Sequence, residues 1–420
     1  MINKVCIVGL GYIGLPTSAI FADAGMEVVG VDVSEKIIST INKGEIHIEE
    51  PGLPELVKRV VDSGKLRASL VPEQADAYIV AVPTPIHKDC TANVDYVKSA
   101  CENIAPLVKK GDIVIVESTI PPRTISDVVA PIFEKVGLSE EDVFLAHCPE
   151  RVLPGRILTE LIENTRIVGG LTPEATEKAA EVYRTVVKGE IILTDATTAE
   201  MTKLMENTFR DVNIALANEL VKISKKLGIN AYDVIEFANK HPRVNLHLPG
   251  PGVGGHCLAV DPYFIVEKAP EEAKLIQTSR DINNSMPAFV VKNIKEILAD
   301  VENPKVSIFG VTYKGNIDDY RESPALEIIE MLQKDAGITL SIYDPHVPND
   351  IAPFPLESKE SAVADSDLVV VLSDHNEFKT LLTDDSLNGM KNKTVFDTKG
   401  ICKDISSDVT LYNFNNIYSI

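Results

Sequence analysis

The sequence lacks any apolar run that approaches the roughly 20 residues of a membrane-spanning helix. It also has no tandem repeat and no low-complexity tract. The cysteines are few, and they show neither paired nor metal-like spacing: Cys6, Cys90, Cys101, Cys148, Cys257 and Cys402. We therefore expect reduced thiols, a cytoplasmic location and no bound metal. The first four residues lead directly into an apolar run and lack the layout of a signal peptide.

Positive charge is in deficit, with 41 lysines and arginines against 62 aspartates and glutamates and a net charge of −21. This balance argues against nucleic acid or an anionic membrane as a partner. It leaves room for small anionic ligands, which a few local cations can hold. The chain has 420 residues, too many for one compact core, and predicts two or three globular domains.

Short apolar runs alternate with helical patterns in the first part of the chain and again near its end. The first set predicts buried strands at Lys4–Val8, Glu27–Asp32, Ala77–Val82, Asp112–Glu117, Val143–Ala146 and Arg166–Val168. The second set predicts strands at Lys305–Phe309, Ile338–Tyr343, Leu368–Leu372 and Thr394–Phe396. The alternation is typical of the α/β class and predicts two Rossmann-like, doubly wound parallel sheets.

A helical region separates these two sets. Residues 197–227 form a long helical pattern without proline or internal glycine, which we interpret as a spine helix. Further helical patterns cover Tyr232–Lys240 and Glu267–Asp300, the second with an interruption at Pro287. The middle region is expected to carry a dimer surface. We predict three domains: 1–195, 196–300 and 301–420.

A glycine-rich turn, Gly9–Gly14, follows the first predicted strand and opens a helix. Its three glycines lack a Cβ, which permits a tight turn and a close approach of a pyrophosphate to the helix N-terminus. Asp32 ends the second strand, where a carboxylate accepts hydrogen bonds from the adenosine ribose and repels a 2′-phosphate. The pattern therefore predicts that the first domain binds NAD rather than NADP. Lys36 either pairs with the adenosine end or is a solvated helix lysine.

A second glycine-rich segment, Gly250–Cys257, ends in a thiol. Its glycines remove side chains from around Cys257 and make the loop thin enough for a ligand to press against the backbone. We interpret Cys257 as a nucleophile, although a buried cysteine is most often an inert small hydrophobe. We interpret the other five cysteines as structural. A hydride acceptor and a cysteine nucleophile indicate oxidation of an alcohol to an acid in two steps, through a thiohemiacetal and a thioester.

Further motifs follow one another along the chain: Val82–Pro85, Glu117–Pro121, Cys148–Gly155, Glu200–Asn207, His241–Asn245 and Tyr313–Pro324. Together with the cysteine loop, they resemble the UDP-glucose/GDP-mannose dehydrogenase family over its full length. The resemblance implies NAD as cofactor and a UDP-sugar substrate that is held mainly by the domain at 301–420. It also implies a homodimer or a higher homo-oligomer.

The resemblance assigns a nucleophilic role to Cys257. It implies that Lys203 and Asn207 stabilise the oxyanion of the thiohemiacetal. These two residues are four positions apart and share one face of the long helix. Cationic and amide donors aimed at developing negative charge are the expected device. Taken alone, a lysine on a helix is more often a solvated charge.

Hydrolysis of the thioester involves three further residues by resemblance. Thr119 and Asp261 are implied to position a water molecule, and Glu150 is implied to assist its attack. Each also has an ordinary structural interpretation, as a threonine at a strand end or a carboxylate that caps a turn.

Three cations complete the implied site, and surface charge is the alternative for each. Lys314 is implied to face the substrate, and Arg321 to make a bidentate contact with the cofactor pyrophosphate. Arg243 corresponds to an arginine that family members lend to the sugar of the neighbouring subunit. The predicted cofactor contacts are Gly9, Gly11, Tyr12, Ile13, Gly14, Asp32, Lys36, Thr84, Thr119 and Arg321. The predicted substrate contacts are Glu150, Arg151, Val152, Lys203, Asn207, Arg210, His241, Arg243, Gly254, His256, Tyr313 and Lys314.

The cysteine loop departs from the UDP-glucose branch of this family. That branch has serine before the cysteine and Pro-Lys-Asp after it, whereas here His256 precedes the cysteine and Ala259–Asp261 follow. These differences are typical of the branch that oxidises UDP-N-acetylhexosamines. The role of His256 stays open between orienting the sugar, tuning the thiol and supporting the loop.

Several functions remain open at this point. The resemblance favours the N-acetyl-D-mannosamine sugar, but chemical reasoning from the residues does not separate it from its C2 epimer, N-acetylglucosamine. A two-electron hydroxyacid dehydrogenase is the rival in another reaction class, and it needs neither Cys257 nor a second nucleotide-sized domain. A non-catalytic sugar-nucleotide-binding protein is the third, and it forms no NADH.

Overall fold

The structure is a computed structural model, and it describes residues 2–153, 155–381, 385–403 and 408–420. The chain divides into two compact units. The first comprises Met1–Glu206 with Tyr263–Pro270, and the second comprises Asn207–Pro262 with Glu271–Ile420. Within the described ranges, no helix combines the length and the apolar character needed to cross a membrane.

The first unit is built on an eight-stranded sheet. Its strands are β1 (Lys4–Val8), β2 (Glu27–Val31), β3 (Leu66–Ser69), β4 (Ala77–Val80), β5 (Ile113–Val116), β6 (Phe144–His147), β7 (Arg166–Gly170) and β8 (Ile191–Asp195). They lie in the order β3-β2-β1-β4-β5-β6-β7-β8, so the chain winds outward from β1 in both directions. All neighbours are parallel except β6 and β7, which pair antiparallel.

Helices cover both faces of this sheet. They are α1 (Gly14–Asp23), α2 (Glu35–Asn42), α3 (Leu53–Asp62), α4 (Asp95–Ile104), α5 (Ala130–Lys135), α6 (Ile157–Glu163) and α7 (Pro173–Tyr183), with a π-helical turn at Ile125–Val129. Because side chains alternate along a strand, β1 contributes Val5 and Ile7 to one apolar core and Cys6 to the other. A sheet that is buried on both faces explains why its strands are nearly continuous apolar runs.

The predicted spine helix is α8 (Ala196–Leu227), which contains 32 residues. The absence of proline and glycine inside it permits this length. Five large apolar side chains along α8 are exposed: Met205, Phe209, Leu216, Ile223 and Leu227. Their spacings of four and seven residues place them along one side of the helix, as a stripe that is open in the single chain.

The second unit contains a five-stranded sheet in which all neighbours are parallel. Its strands are β9 (Lys305–Phe309), β10 (Thr339–Tyr343), β11 (Leu368–Val371), β12 (Thr394–Asp397) and β13 (Thr410–Asn413), in the order β10-β9-β11-β12-β13. The other α-helices in the described ranges are α9 (Ala231–Asn239), α10 (Asp261–Lys268), α11 (Lys274–Asn284), α12 (Met286–Ile297), α13 (Pro324–Gln333) and α14 (Lys359–Val363). One apolar core of this unit joins Val221 of α8, Val290 of α12 and Ile308 of β9.

The helical prediction over Glu267–Asp300 is wrong at residues 269–273 and correct in its interruption near Pro287. The chain leaves the helical conformation after Lys268, because Pro270 disfavours helix at the residue before it. Pro287 lies in the first turn of α12, where its missing N–H costs nothing, and the predicted interruption is the break between the end of α11 at Asn284 and the start of α12 at Met286. Strands β3, β8 and β13 were not predicted, because they are short or partly exposed and give weak apolar runs.

Candidate active site

The glycine turn at Gly9–Gly14 has the geometry that a dinucleotide requires. Gly9 has a φ of +98°, and a Cβ on it would lie 2.4 Å from the carbonyl oxygen of Ala81. A Cβ on Gly14 would lie 1.7 Å from the carbonyl oxygen of Gly9, so neither position accepts a side chain. A Cβ on Gly11 would meet no atom within 4 Å. The open space at Gly11 leaves room for a pyrophosphate to approach the backbone, as the predicted contacts there require.

The amino end of α1 faces this turn without a side-chain cap. Its first turn contains no acidic residue, and the N-cap residue Ile13 makes no side-chain hydrogen bond. The positive end of the helix dipole is therefore not neutralised by the chain itself, which suits a bound phosphate. Tyr12 is exposed and Ile13 is half-buried at the mouth of the turn.

Asp32 follows β2 directly and is fixed by two backbone groups. Its Oδ2 accepts the N–H of Leu10 at 3.0 Å, and its Oδ1 accepts the N–H of Ser34 at 3.0 Å. Each oxygen keeps a further lone pair for a ribose hydroxyl. Lys36 is exposed on α2. The sequence analysis missed His47, which lies near Asp32 and whose pKa is lowered mainly by burial.

We expect Asp32→Ala to weaken NAD binding and to narrow the preference for NAD over NADP. A hydrogen bond to a charged group contributes about 1.5–3 kcal/mol, so the KM for NAD should rise roughly 10- to 100-fold. Initial rates with both cofactors measure the effect. Glu35→Ala removes a neighbouring carboxylate from the start of α2 and, as the matched control, should leave this KM unchanged. Equal use of NAD and NADP by the unaltered protein would contradict this role of Asp32.

The loops after β4 and β5 carry the predicted cofactor residues Thr84 and Thr119. Ser118 connects the two loops, since its Oγ accepts the N–H of Val82 at 3.0 Å and donates to the carbonyl of Val82 at 2.7 Å. Thr119 is half-buried. The Oγ1 of Thr84 is buried, and no group in the described part of the chain gives it a hydrogen bond. An orphaned buried hydroxyl of this kind fits a bound ligand.

Glu150 lies just beyond β6, next to a buried guanidinium. Its Oε2 is 3.1 Å from Nη1 of Arg166, and its Oε1 accepts the N–H of Arg151 at 2.5 Å. The guanidinium of Arg151 in turn pairs with Glu206, with Nη2 and Oε1 2.5 Å apart. Val152 packs against the apolar core of the first unit. The side chains of Arg151 and Val152 thus have partners in the fold, and their predicted substrate contacts stay predictions.

Glu200 fixes α8 one turn before Lys203. Its buried carboxylate accepts the N–H of Arg123 and, at 2.9 Å, the N–H of Ile125. These two N–H groups belong to the turn that follows Thr119. Burial raises the pKa of Glu200 to about 7, although both backbone donors oppose the shift. Lys203 itself is half-buried. The clamp by Glu200 therefore sets the position of the helical turn that presents Lys203.

In the second unit, Asn207, Asp261 and Cys257 form a contiguous group. The Nδ2 of Asn207 donates to Oδ2 of Asp261 at 2.6 Å, and both side chains are buried. The carbonyl of Cys257 accepts the N–H of Val260 at 3.0 Å and that of Asp261 at 2.8 Å. The exposed Cys257 therefore stands at the amino end of α10. The positive end of the helix dipole favours negative charge at this position.

The glycines of the cysteine loop are required by a neighbouring segment of the same unit. Gly255 has a φ of +87°, and its N–H donates to the carbonyl of Glu322 at 3.3 Å. A Cβ on Gly254 would lie 2.3 Å from that carbonyl oxygen, and one on Gly255 would lie 2.9 Å from the ring of Tyr313. The sequence analysis attributed the missing side chains to a ligand. In the structure, Tyr313 and Glu322 occupy the space beside these two glycines.

Asp319 connects the residue before the thiol with a predicted cofactor residue. Arg321 donates from Nε to Oδ1 of Asp319 at 2.8 Å and from Nη2 to Oδ2 at 2.9 Å. The Nε2 of His256 lies 3.7 Å from the same Oδ2. Burial raises the pKa of Asp319, but the hydrogen bonds from Arg321 outweigh it and leave this pKa below its usual value. Burial also raises the pKa of Tyr313.

The remaining predicted residues lie at exposed positions of the second unit. Arg210 is exposed on α8, and Lys314 is exposed after β9. His241 and Arg243 lie in the turn that follows α9, where Nδ1 of His241 accepts the N–H of Arg243 at 3.3 Å. Exposed cations of this kind suit phosphate and sugar ligands, and their specific roles stay predictions.

The chain matches all three domains of the UDP-glucose/GDP-mannose dehydrogenase family: the NAD binding domain at residues 3–187, the central domain at 197–285 and the UDP binding domain at 307–404. The chain belongs to this family. A UDP-N-acetyl-D-mannosamine dehydrogenase of Methanococcus maripaludis is 50% identical over 409 residues, which cover 95% of this chain and 93% of the relative. An NDP-N-acetyl-D-galactosaminuronic acid dehydrogenase of Ralstonia nicotianae is 46% identical over 413 residues, with coverages of 95% and 96%.

A solved structure gives the same result. The UDP-N-acetyl-mannosamine dehydrogenase of S. aureus is 54% identical, with a TM-score of 0.92 and coverage of 99% of this chain and 100% of that one. The comparisons confirm the predicted α/β fold, an oxidoreductase and NAD as its cofactor. The family's UDP binding domain supports a nucleotide sugar as the substrate.

A buried polar network that the sequence analysis missed anchors the cysteine loop of this dehydrogenase. Arg280 donates to Asp211 at 2.6 Å, and Asn283 donates to the same Oδ1 at 2.8 Å. Asn218 donates to Asn283 at 2.9 Å and accepts the N–H of Gly250 at 2.9 Å. Helical spacing was the available signal in the sequence. Asp211 and Asn218 on α8 are seven residues apart, and Arg280 and Asn283 on α11 are three apart, so each pair shares one face of its helix.

One group of side chains in the second unit has the composition of a metal site: His346, His375 and Glu377. The Nδ1 of His375 accepts the N–H of Asn316 at 2.9 Å, which leaves the proton on Nε2. That Nε2 lies 3.1 Å from Oδ2 of Asp344 and donates to it. Both ring nitrogens of His375 are therefore occupied by hydrogen bonds, and the group is explained without an ion.

Proposed function

We propose that this protein oxidises UDP-N-acetyl-D-mannosamine at C6 to UDP-N-acetyl-D-mannosaminuronic acid, with two NAD per sugar. The observation that carries the proposal is the exposed Cys257 at the amino end of α10, with the buried Asn207–Asp261 pair at the same turn. A thiol in this setting suits covalent catalysis rather than packing. Membership of the family supplies the reaction class.

Binding of the cofactor uses the first unit. The open backbone at Gly11 and the uncapped end of α1 accept the pyrophosphate, and Asp32 accepts the ribose hydroxyls. The buried hydroxyl of Thr84 has a free hydrogen-bonding capacity for the same ligand. When bound, NAD supplies the hydride acceptor for each of the two oxidations. We also propose that Arg321 exchanges Asp319 for the cofactor pyrophosphate.

The first oxidation converts the C6 alcohol to an aldehyde. The Sγ of Cys257 then adds to the aldehyde carbon, and the carbonyl oxygen becomes the oxyanion of a thiohemiacetal. Lys203 and Asn207 donate hydrogen bonds to that oxygen. Because Asp261 already accepts one N–H of Asn207 at 2.6 Å, it holds the amide in a fixed orientation and leaves the second N–H for the oxyanion.

The second oxidation leaves a thioester on Cys257. Thr119 and Asp261 position a water molecule, and Glu150 accepts a proton from it as it attacks the thioester carbon. The carbon–sulfur bond then breaks, and the uronic acid is released while the thiolate is restored. The carboxylate of Glu150 suits this task, because Arg166 and the N–H of Arg151 hold it in place.

The identity of the sugar rests on the relatives. Two relatives named UDP-N-acetyl-mannosamine dehydrogenase are 50% and 54% identical to this chain, against 46% for a galactosaminuronic acid dehydrogenase. His256 in place of serine also supports an N-acetylhexosamine. UDP-N-acetylglucosamine remains the alternative substrate. NADH formation with UDP-N-acetylmannosamine, UDP-N-acetylglucosamine, UDP-N-acetylgalactosamine and UDP-glucose, followed by product mass, identifies the substrate.

We expect two NADH per UDP-N-acetylmannosamine consumed, because the thioester route removes four electrons. Absorbance of NADH at the end point, with the sugar as limiting reagent, measures the ratio. UDP-glucose is the control and should give little NADH under the same conditions. A ratio of one with free aldehyde as product points to a two-electron dehydrogenase and excludes the thioester route. Ligand binding without NADH points to a non-catalytic binding protein.

We also propose a homodimer through the region 197–300. The exposed apolar stripe on α8 supports it, because such a surface is usually covered in a folded protein. Arg243 is exposed on the same region and is proposed to reach the sugar of a second subunit. We also propose domain boundaries after residues 195 and 300. A cytoplasmic location is proposed as well.

A further inference from the structure

A buried group of charged side chains lies beside Glu150. The Nη1 of Arg166 is 3.1 Å from Glu150 and 3.9 Å from Oε1 of Glu117. The hydroxyl of Tyr183 donates to the same Oε1 at 2.7 Å, and its ring lies 5.2 Å from the guanidinium carbon of Arg166. The Nη1 of Arg166 is also 3.9 Å from Sγ of Cys148. We call Glu117, Arg166 and Tyr183 the counter-charge cluster.

The reversed direction of β7 explains why these side chains meet. In the antiparallel pairing of β6 and β7, His147 lies opposite Gly169. Continuing this register beyond β6 places Arg166 opposite Glu150. Strand β5 runs parallel to β6, and Glu117 follows β5 at the same edge of the sheet. A parallel β7 would present its carboxyl end here instead, and Arg166 would lie at the opposite edge.

Two carboxylates share one guanidinium at a site with little access to water. The exposed fractions of the side chains are 0% for Glu117, 7% for Arg166 and 10% for Glu150. Burial raises the pKa of Glu117 to about 7, and the negative charge of Glu150 adds to this shift. Arg166 and the hydrogen bond from Tyr183 oppose it. Oε2 of Glu117 receives no hydrogen bond from any described group.

We propose that the counter-charge cluster positions Glu150 for thioester hydrolysis. In this role, Glu150 and Glu117 alternate as the ionised partner of Arg166. The inference rests on the proposed function of Glu150. In this step the oxygen of water bonds to the thioester carbon, and the carbon–sulfur bond breaks. The electron pair of that bond returns to Sγ of Cys257, and a proton of the water goes to Glu150.

The gain of a proton removes the charge that balanced Arg166. An unpaired guanidinium in a buried site is costly, but Glu117 lies near the same Nη1 and takes over as its ionised partner. When Glu117 is ionised before the step, it also competes with Glu150 for Arg166 and makes Glu150 a stronger base. The cluster therefore acts on hydrolysis and leaves the two hydride transfers unaffected. Its members are positioning residues.

Glu117→Gln tests this role, because glutamine keeps the shape and still accepts the hydroxyl of Tyr183. Below about pH 6, where Glu117 is protonated in the unaltered protein, both proteins should hydrolyse the thioester at the same rate. Above about pH 8 the variant should hydrolyse the thioester roughly 10- to 100-fold more slowly than the unaltered protein. This effect is smaller than that of removing a general base outright, because Glu150 is still present. Rapid mixing, acid quench and intact mass follow the sugar adduct on Cys257, and the first NADH burst reports the hydride step.

Tyr183→Phe is the second variant, and it keeps the ring over Arg166. It removes the hydrogen bond that lowers the pKa of Glu117, so the rise of hydrolysis with pH should move to higher pH. Asp367→Asn is the matched control. It neutralises another buried carboxylate, which accepts the N–H of Lys305 at 3.0 Å at the start of β9, and should leave the hydrolysis profile unchanged. Thermal unfolding of each variant shows which ones are folded.

Two results would overturn the proposal. One is a Glu117→Gln protein whose hydrolysis matches the unaltered protein at every pH. The other is a Glu117→Gln protein in which the NADH burst and the hydrolysis are slowed equally, because a purely structural role of Glu117 would produce that result. If Glu117→Gln does not fold, an unchanged pH dependence of thioester hydrolysis in Tyr183→Phe would also overturn the proposal. These results differ from failure of the proposed function itself. In that case the unaltered protein would form no sugar adduct on Cys257.

Discussion

Cys257→Ser is expected to lower overall turnover by several orders of magnitude. A hydroxyl is a far poorer nucleophile than a thiolate at neutral pH, so the addition to the aldehyde becomes very slow. The affinity for the UDP-sugar should change much less, because the uridine diphosphate is expected to be held mainly by residues 301–420. Steady-state rates and equilibrium binding of the sugar nucleotide measure the two effects separately. An ester-linked sugar that hydrolyses slowly is expected in the intact mass.

Cys90→Ser is the matched control for this experiment. Cys90 is half-buried and lies outside the cysteine loop, so its replacement should leave turnover and the adduct on Cys257 unchanged. Full activity of Cys257→Ala would exclude covalent catalysis by this thiol. A sugar adduct on any other cysteine would show that the nucleophile has been misassigned.

Lys203→Met is expected to lower kcat by roughly 10²–10³-fold, the usual effect of removing one oxyanion donor. Methionine keeps the length and the apolar stem of lysine but removes its charge. The KM for the UDP-sugar should change little, because the oxyanion exists only after the thiol has added. Single-turnover rates should show the loss in formation of the thiohemiacetal and in the second hydride transfer.

Lys226→Met is the matched control. It replaces a lysine on the same helix and tests whether removing any lysine from α8 has a general effect. Lys226 is exposed in the last turn, and its replacement should leave kcat unchanged. A Lys203→Met protein with normal kcat and a raised KM would assign Lys203 to ground-state binding of the sugar instead.

The strand–turn–helix geometry of the predicted cofactor site was the part of the molecule that local sequence determined best. The turn Gly9–Gly14 joins a strand to a helix within a few residues, and Asp32 follows the next strand in the chain. The constraint at Gly14 is a contact with the carbonyl of Gly9 in the same turn, whereas Gly9 is constrained by its positive φ and by Ala81, which follows β4. Short-range geometry of this kind leaves a recognisable pattern in the chain.

The cysteine loop was predicted correctly in position but not in its physical reason. Its glycines appeared to make room for a ligand, whereas Gly254 and Gly255 accommodate Tyr313 and Glu322. These partners are separated by more than fifty residues, and no local pattern connects them. The network from Arg280 to Gly250 left a local signal only within each helix, and the contacts that join α8, α11 and the loop were not predicted.

The sequence by itself determined the α/β class, the NAD site, the candidate nucleophile and the family, because strand alternation, glycine turns and ordered motifs are properties of neighbouring residues. Only the tertiary structure decided which groups hold the candidate catalytic side chains. The antiparallel pairing of β6 and β7 brings Arg166 to Glu150, and the approach of α8 to the start of α10 brings Asn207 to Asp261. Such contacts depend on strand direction and helix packing, which are set by burial of apolar surface across the whole unit rather than by residues near each site.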